Sequence, residues 1–147
     1  VPVIEVSASR EVPVPAERAW AVVADYGHDP RWRHGVSTMA PQPPGPVTVG
    51  TTTAEVLRFA GRTYRSGGLV TEVDEGRGFA WRTTSGLVAH GGRTVRPLGA
   101  RSARVTLRAT VRPVGAQRLL APVLRPLLGR ALRRDLDRLA ALLAADH

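Results

Sequence analysis

Apolar and polar residues alternate from Val3 to Val14 (VIEVSASREVPV), which predicts a strand, since side chains along extended backbone face opposite ways. The period changes at Pro15. In PAERAWAVVADY (15–26), Ala19, Trp20, Val22, Val23 and Tyr26 recur at helical spacing, with Pro15 at a first-turn position and Glu17 near the positive end of the helix dipole. A second start signal follows in DPRWRH (29–34), where Asp29 can cap free amides and Pro30 presets φ for a very short helix. APQPPGPVTVG (40–50) holds four prolines and two glycines and reads as a loop. Five valine- and threonine-rich runs then follow, joined by AG, EGRG, SG and GARS, so an antiparallel meander is predicted. Gly67-Gly68 inside the longest run marks a bulge or sharp bend.

The last segment, residues 116–146, is helical. Leu128, Leu132, Leu136, Leu139 and Leu143 form one stripe, and Pro122 and Pro126 should kink it or delay its start to about residue 123. A helix from there to residue 144 would reach roughly 33 Å. One long helix laid across the concave face of a curved antiparallel sheet satisfies every apolar stripe.

Strand parity assigns the faces. In the last strand Val105, Leu107, Ala109 and Val111 face in, and Arg104, Arg108 and Arg112 face out. In the strand before it Val95 faces in, which also turns Ala89 and Arg93 inward and His90 and Arg96 outward. An inward guanidinium must be paired or meet a polar ligand. Phe79, Trp81 and Thr83 form another inward set. In the 51–74 hairpin, Glu55, Leu57, Phe59 and Tyr64 share one face; both faces are mixed, and the two large apolar residues favour that one as inward. Asp135 falls within the leucine sector, either as an inward carboxylate that pairs Arg93 or acts on a ligand proton, or as half of a helix-surface pair with Arg134 or Arg138.

Composition adds exclusions. At 147 residues the chain is sized for one domain, residues 1–147, able to bury roughly two-thirds of its unfolded surface. Its 43% hydrophobic and 22% charged content fits a soluble globular protein, and no apolar run approaches the roughly 20 residues that span a bilayer. No signal-peptide pattern opens it, so the expected location is cytoplasmic. Cysteine is absent, which removes disulfides, thiolate nucleophiles and cysteine metal sites. His28 and His34 are six apart, Gly27 and Pro30 argue against one continuous helix that would bring them together, and no third ligand is near, so neither a metal nor another cofactor is expected. There is no G-x-S-x-G elbow and no phosphate-binding loop. All 21 basic residues are arginine, and the net charge is +9. The arginines on the outer sheet face are either a docking surface for an anionic partner or a solvated face that blunts edge pairing; few aromatics interleave them, which argues against nucleic acid.

The stretches EVPVPAERAWAVVADYGHDPRW, VG at 49–50, LVTEVDEGRGFAWRT at 69–83 and RRDLDRLAALL, in that order, resemble the START-like (SRPBCC) superfamily in its polyketide cyclase/dehydrase branch, from about residue 3 to 144. The resemblance implies an α+β helix-grip fold: a curved antiparallel sheet of about six to seven strands, two short helices and one long C-terminal helix enclosing a cavity. It also implies an apolar or aromatic small-molecule ligand. Members include cofactor-free cyclases and aromatases, carriers of lipid or quinone, and chaperone activators, and fold alone does not choose among them. An enzyme would perform a cofactor-independent cyclisation or dehydration; the alternative is a carrier, or an interaction module docking through the arginine face, as monomer or homodimer. By residue type, Arg93, Tyr64, Glu55 and Asp135 resemble the groups with which cyclases polarise a ketone and move a proton. Trp32, Leu57, Phe59, Trp81, Val95, Leu107, Leu128 and Leu132 are the expected ligand-binding set, with Trp32 at the cavity's end.

Overall fold

A computed structural model describes residues 3–145 of the chain. Seven antiparallel strands form one sheet in the order β1-β7-β6-β5-β4-β3-β2. β1 (Ile4–Val12) leads into α1 (Ala16–Val23), a 3-10 turn (Tyr26–His28) and α2 (Asp29–Trp32). β2 (Val36–Gln42), β3 (Thr52–Phe59), β4 (Arg62–Asp74), β5 (Gly78–Ser85), β6 (Val88–Gly99) and β7 (Ser102–Arg112) follow. A second 3-10 turn (Gly115–Leu120) then opens α3 (Ala121–Ala145).

Each departure from the expected boundaries has a local cause. α1 stops at Val23, because the Asp25 carboxylate accepts the Gly27 amide at 2.9 Å and draws the chain into a tighter turn. The proline-rich segment expected as a loop from residue 40 is strand as far as Gln42. β2 is an edge strand, so Pro41 needs no donor on its open side. α3 begins at Ala121 rather than near 123, with Pro122 in the first turn, where its missing N–H is not needed, and Pro126 inside the helix. The helix, expected to residue 144, is described to Ala145; Asp146, the last residue of the segment expected to be helical, lies outside the described residues. The glycine pair behaves as expected: the β4–β5 register shifts between Gly67 and Gly68. A Cβ on Gly68 would lie 2.5 Å from Thr53 Oγ1, so the close approach of β3 requires glycine there.

α3 lies chiefly against β1 and α2. Its C-terminal half buries Leu136, Leu139, Ala140 and Leu143 in one core cluster with Val12, Val105, Trp32 and Phe79, while Leu128 and Leu132 on its N-terminal half are only half-buried. Leu119, Leu120 and Val123 at its start are exposed. The parity assignments hold, with Val95, Val105 and Leu107 buried and Arg96, Arg104, Arg108 and Arg112 exposed. Among the described residues no helix is long and apolar enough to cross a membrane.

Candidate functional site

The segment DYGHDPRWRH supplies the polar centre of the molecule. Asp29 is the first residue of α2 and is fully buried; its carboxylate does not cap the helix, as the sequence suggested, but points at β6. There the inward guanidinium of Arg93 donates to Asp29 Oδ1 at 2.9 Å and Oδ2 at 2.6 Å, and to the Val23 carbonyl at 3.1 Å. Tyr26, Trp32 and Phe79 surround it, with ring centroids 4.7, 5.1 and 5.6 Å from the guanidinium carbon. A bidentate pair and three aromatic faces satisfy a charge that could not be buried alone. Burial pulls the Arg93 pKa down, but the carboxylate of Asp29 outweighs it and holds the guanidinium charged. Burial also pushes Tyr26 up to about 12.

The ionic chain continues outward. Arg33, one helical turn after Asp29, donates to Asp29 Oδ2 at 3.1 Å and also to Glu55 Oε1 on β3. Positive and negative groups therefore alternate from β6 to β3 in the order Arg93, Asp29, Arg33, Glu55. Desolvation works against the Arg33 charge, and Glu55 and Asp29 together overcome it.

Beyond this chain an open cleft of about 320 Å³ lies between β3 and α3. Leu57, Arg58 and Phe59 line one wall, and Leu127, Arg130, Ala131, Arg134 and Asp135 the other. His34 and Gly35 close one end, the Ala60-Gly61 turn the other. Gly35 permits that closure, because a Cβ there would lie 2.4 Å from the Arg58 carbonyl oxygen, and the Arg58 amide donates to the Gly35 carbonyl at 2.8 Å.

Asp135 is the acidic group of the cleft. It is 8% exposed and accepts the His34 amide at 2.9 Å. It makes no ion pair among the described residues, and Arg138, its other expected partner, turns to His34 Nδ1 at 3.1 Å. Burial raises the Asp135 pKa above the ordinary carboxylate range, against the opposing pull of the His34 amide and the nearby Arg33 and Arg93 charges. A carboxyl group so placed can carry or accept a proton beside an apolar ligand.

Of the four polar candidates, Asp135 alone lines the cleft. Arg93 and Glu55 belong to the ionic chain, and Tyr64, half-buried, stands opposite Leu57 in the β3–β4 register. Among the apolar candidates Leu57 and Phe59 line the cleft. Val95 and Leu107 are core, and Trp32 is fully buried beside Arg93, its indole N–H meeting no acceptor among the described residues. Trp81 is half-buried opposite Gly91, where a Cβ would lie 2.9 Å from the indole ring. Leu128 and Leu132 are half-buried on α3, outside the cleft lining. Sequence reasoning missed Arg33, Leu127, Ala131 and the cleft arginines. A spacing of four between Asp29 and Arg33 was the one available signal. Among the described residues no group of histidine and carboxylate side chains could hold a metal ion.

Comparison with known proteins agrees with this architecture. The sequence model for "polyketide cyclase / dehydrase and lipid transport" proteins matches residues 3–144. A START superfamily protein of Mycobacterium smegmatis superposes with a TM-score of 0.80 at 18% identity, covering 98% of this chain and 99% of its own. The Zhui aromatase/cyclase of Streptomyces sp. R1128 gives 0.80 at 16% identity over 97% and 94% of the two chains. A protein of Thermus thermophilus gives 0.83 at 20% identity over 97% and 98%. Comparison with curated protein sequences returns no match. With the helix-grip architecture in place and the family match running almost end to end, the chain belongs to the polyketide cyclase/dehydrase and lipid transport family.

Proposed function

We propose that this protein binds an apolar or aromatic small molecule in the cleft between β3 and α3. The supporting observation is the cleft itself: apolar walls from Leu57, Phe59, Leu127 and Ala131 around a single buried carboxyl group. Native mass spectrometry of the purified protein tests this. Wild type should retain a bound small molecule that Ala131→Trp, which fills the cleft, does not. Identical spectra from the two proteins would remove the cleft as the binding site.

The raised pKa of Asp135 favours a second, catalytic reading. As carboxylate it takes the proton from the carbon between a ketone and a carbinol, and as acid it returns that proton to the departing hydroxyl. An alkene forms, one water leaves, and no cofactor is consumed. In this reading Arg93 and Glu55 are positioning residues, holding α2 and β3 so that the His34 amide meets Asp135. Tyr64, beside Leu57 on the inward face, borders the ligand. The test substrate is 4-hydroxy-4-(2-naphthyl)butan-2-one, followed by the absorbance of its enone. Asp135→Asn should slow turnover about 100-fold or more. A rate that Asp135→Asn leaves unchanged would remove Asp135 as the proton-transfer group, and no turnover by wild type above the uncatalysed background would leave the carrier reading.

A further inference from the structure

We infer that the cleft selects ligands bearing an anionic oxygen head group, a carboxylate or a phosphate, on an apolar or aromatic body. This rests on the binding reading above and specifies its ligand class.

Three arginines line the cleft together with its apolar walls. Arg58 is the penultimate residue of β3, and Arg130 and Arg134 lie one turn apart on α3. All three are exposed, and none makes an ion pair among the described residues; Arg58 has only a 3.4 Å contact with Thr63 Oγ1. Nearby charges are already matched: Arg33 holds Glu55, and Arg10 holds Asp137. Among the described residues, the one carboxyl group that lines the cleft with the three arginines is Asp135, largely buried and bound to the His34 amide. Three positive charges therefore meet one shielded carboxyl at the edge of an apolar depression. Low-dielectric walls focus such a field into the cleft, and guanidinium forks match paired oxygens of carboxylate or phosphate. An apolar body against Leu57, Phe59 and Ala131 would bring its head group within reach of Arg58, Arg130 and Arg134.

The discriminating experiment compares two dyes sharing one ring system, 1-anilinonaphthalene-8-sulfonate and neutral N-phenyl-1-naphthylamine. Wild type should bind the sulfonate about ten-fold tighter at low salt, an advantage that shrinks as ionic strength rises. The triple variant Arg58→Gln, Arg130→Gln, Arg134→Gln should lose that advantage and keep its affinity for the neutral dye, which reports an intact cleft. Ala131→Trp should lose both dyes, placing them in the cleft rather than on exposed Leu119 and Leu120. Decanoate and decyl phosphate should each displace the sulfonate better than decanol, and the stronger of the two identifies the head group. Equal binding of both dyes by wild type, or a preference that survives in the triple variant, overturns the anionic head group and leaves apolar binding standing. Failure of both dyes to bind wild type counts against the binding reading as well.

Discussion

The two ends of the sheet–helix sandwich are built from similar residues and differ in how completely they close. At one end Trp32, Phe79, Val105, Leu136, Leu139 and Leu143 are all buried to 5% exposure or less around the Arg93–Asp29 pair. At the other, Leu57, Phe59, Leu127 and Ala131 are half-buried around an open cleft. The same helix supplies both: the leucine stripe of α3 is buried in its last three turns and half-buried at Leu128 and Leu132, and Leu127, Ala131 and Asp135 beside it line the cleft. Apolar residues left partly uncovered at one end, beside a core already complete at the other, mark a surface kept for a ligand rather than for stability.

The largest expected effect lies at the packed end. Asp29→Asn leaves Arg93 and Arg33 facing each other in the interior and should cost about 3–5 kcal/mol, read as a lower urea midpoint. Arg93→Met should cost less, because Arg33 still faces Asp29. A reversed order would mean that the carboxylate is not the hub of the ionic chain.

Two leucines on one helix face sharpen the contrast. Leu139→Ala, at full burial, should lose about 2–5 kcal/mol, and Leu132→Ala, half-buried, about half as much or less. Equal losses would show the open end to be as tightly packed as the other.

The smallest effect is a pH dependence. Folding raises the Asp135 pKa, so the native state holds that proton more tightly than the unfolded chain does. The stability so gained is complete below the unfolded value near 3.8 and is lost as pH rises through the folded value. Asp135→Asn, which keeps an oxygen for the His34 amide, should match wild type in the acid and gain on it towards neutral pH. An unfolding midpoint that tracks wild type across that range would place the carboxyl in ordinary solvent.

Much of the fold was legible because alternation is a local property. Val95 fixed the inward direction of Arg93, and Val105 and Leu107 that of β7. β2 was partly hidden by its prolines, which suit an edge strand as well as a loop. The site was less legible, since its contacts join distant positions. Asp29 before Pro30 carries the signature of a helix cap, and nothing local shows that its carboxylate pairs with a guanidinium 64 residues away. Arg58 has outward parity on β3, yet it lines the cleft at the end of the strand. Asp135 could be placed in the leucine sector from spacing alone, but its hydrogen bond to His34 required the fold.

The most direct test of the division into a packed end and a binding end is a titration of isotopically labelled protein with N-phenyl-1-naphthylamine, followed by amide chemical shifts. The shifts should concentrate at residues 57–61, 34–35 and 127–135 and leave the amides of Val105, Leu139 and Leu143 unmoved. Shifts confined to the outer sheet face around Arg104 and Arg108, or to 119–123, would contradict the account.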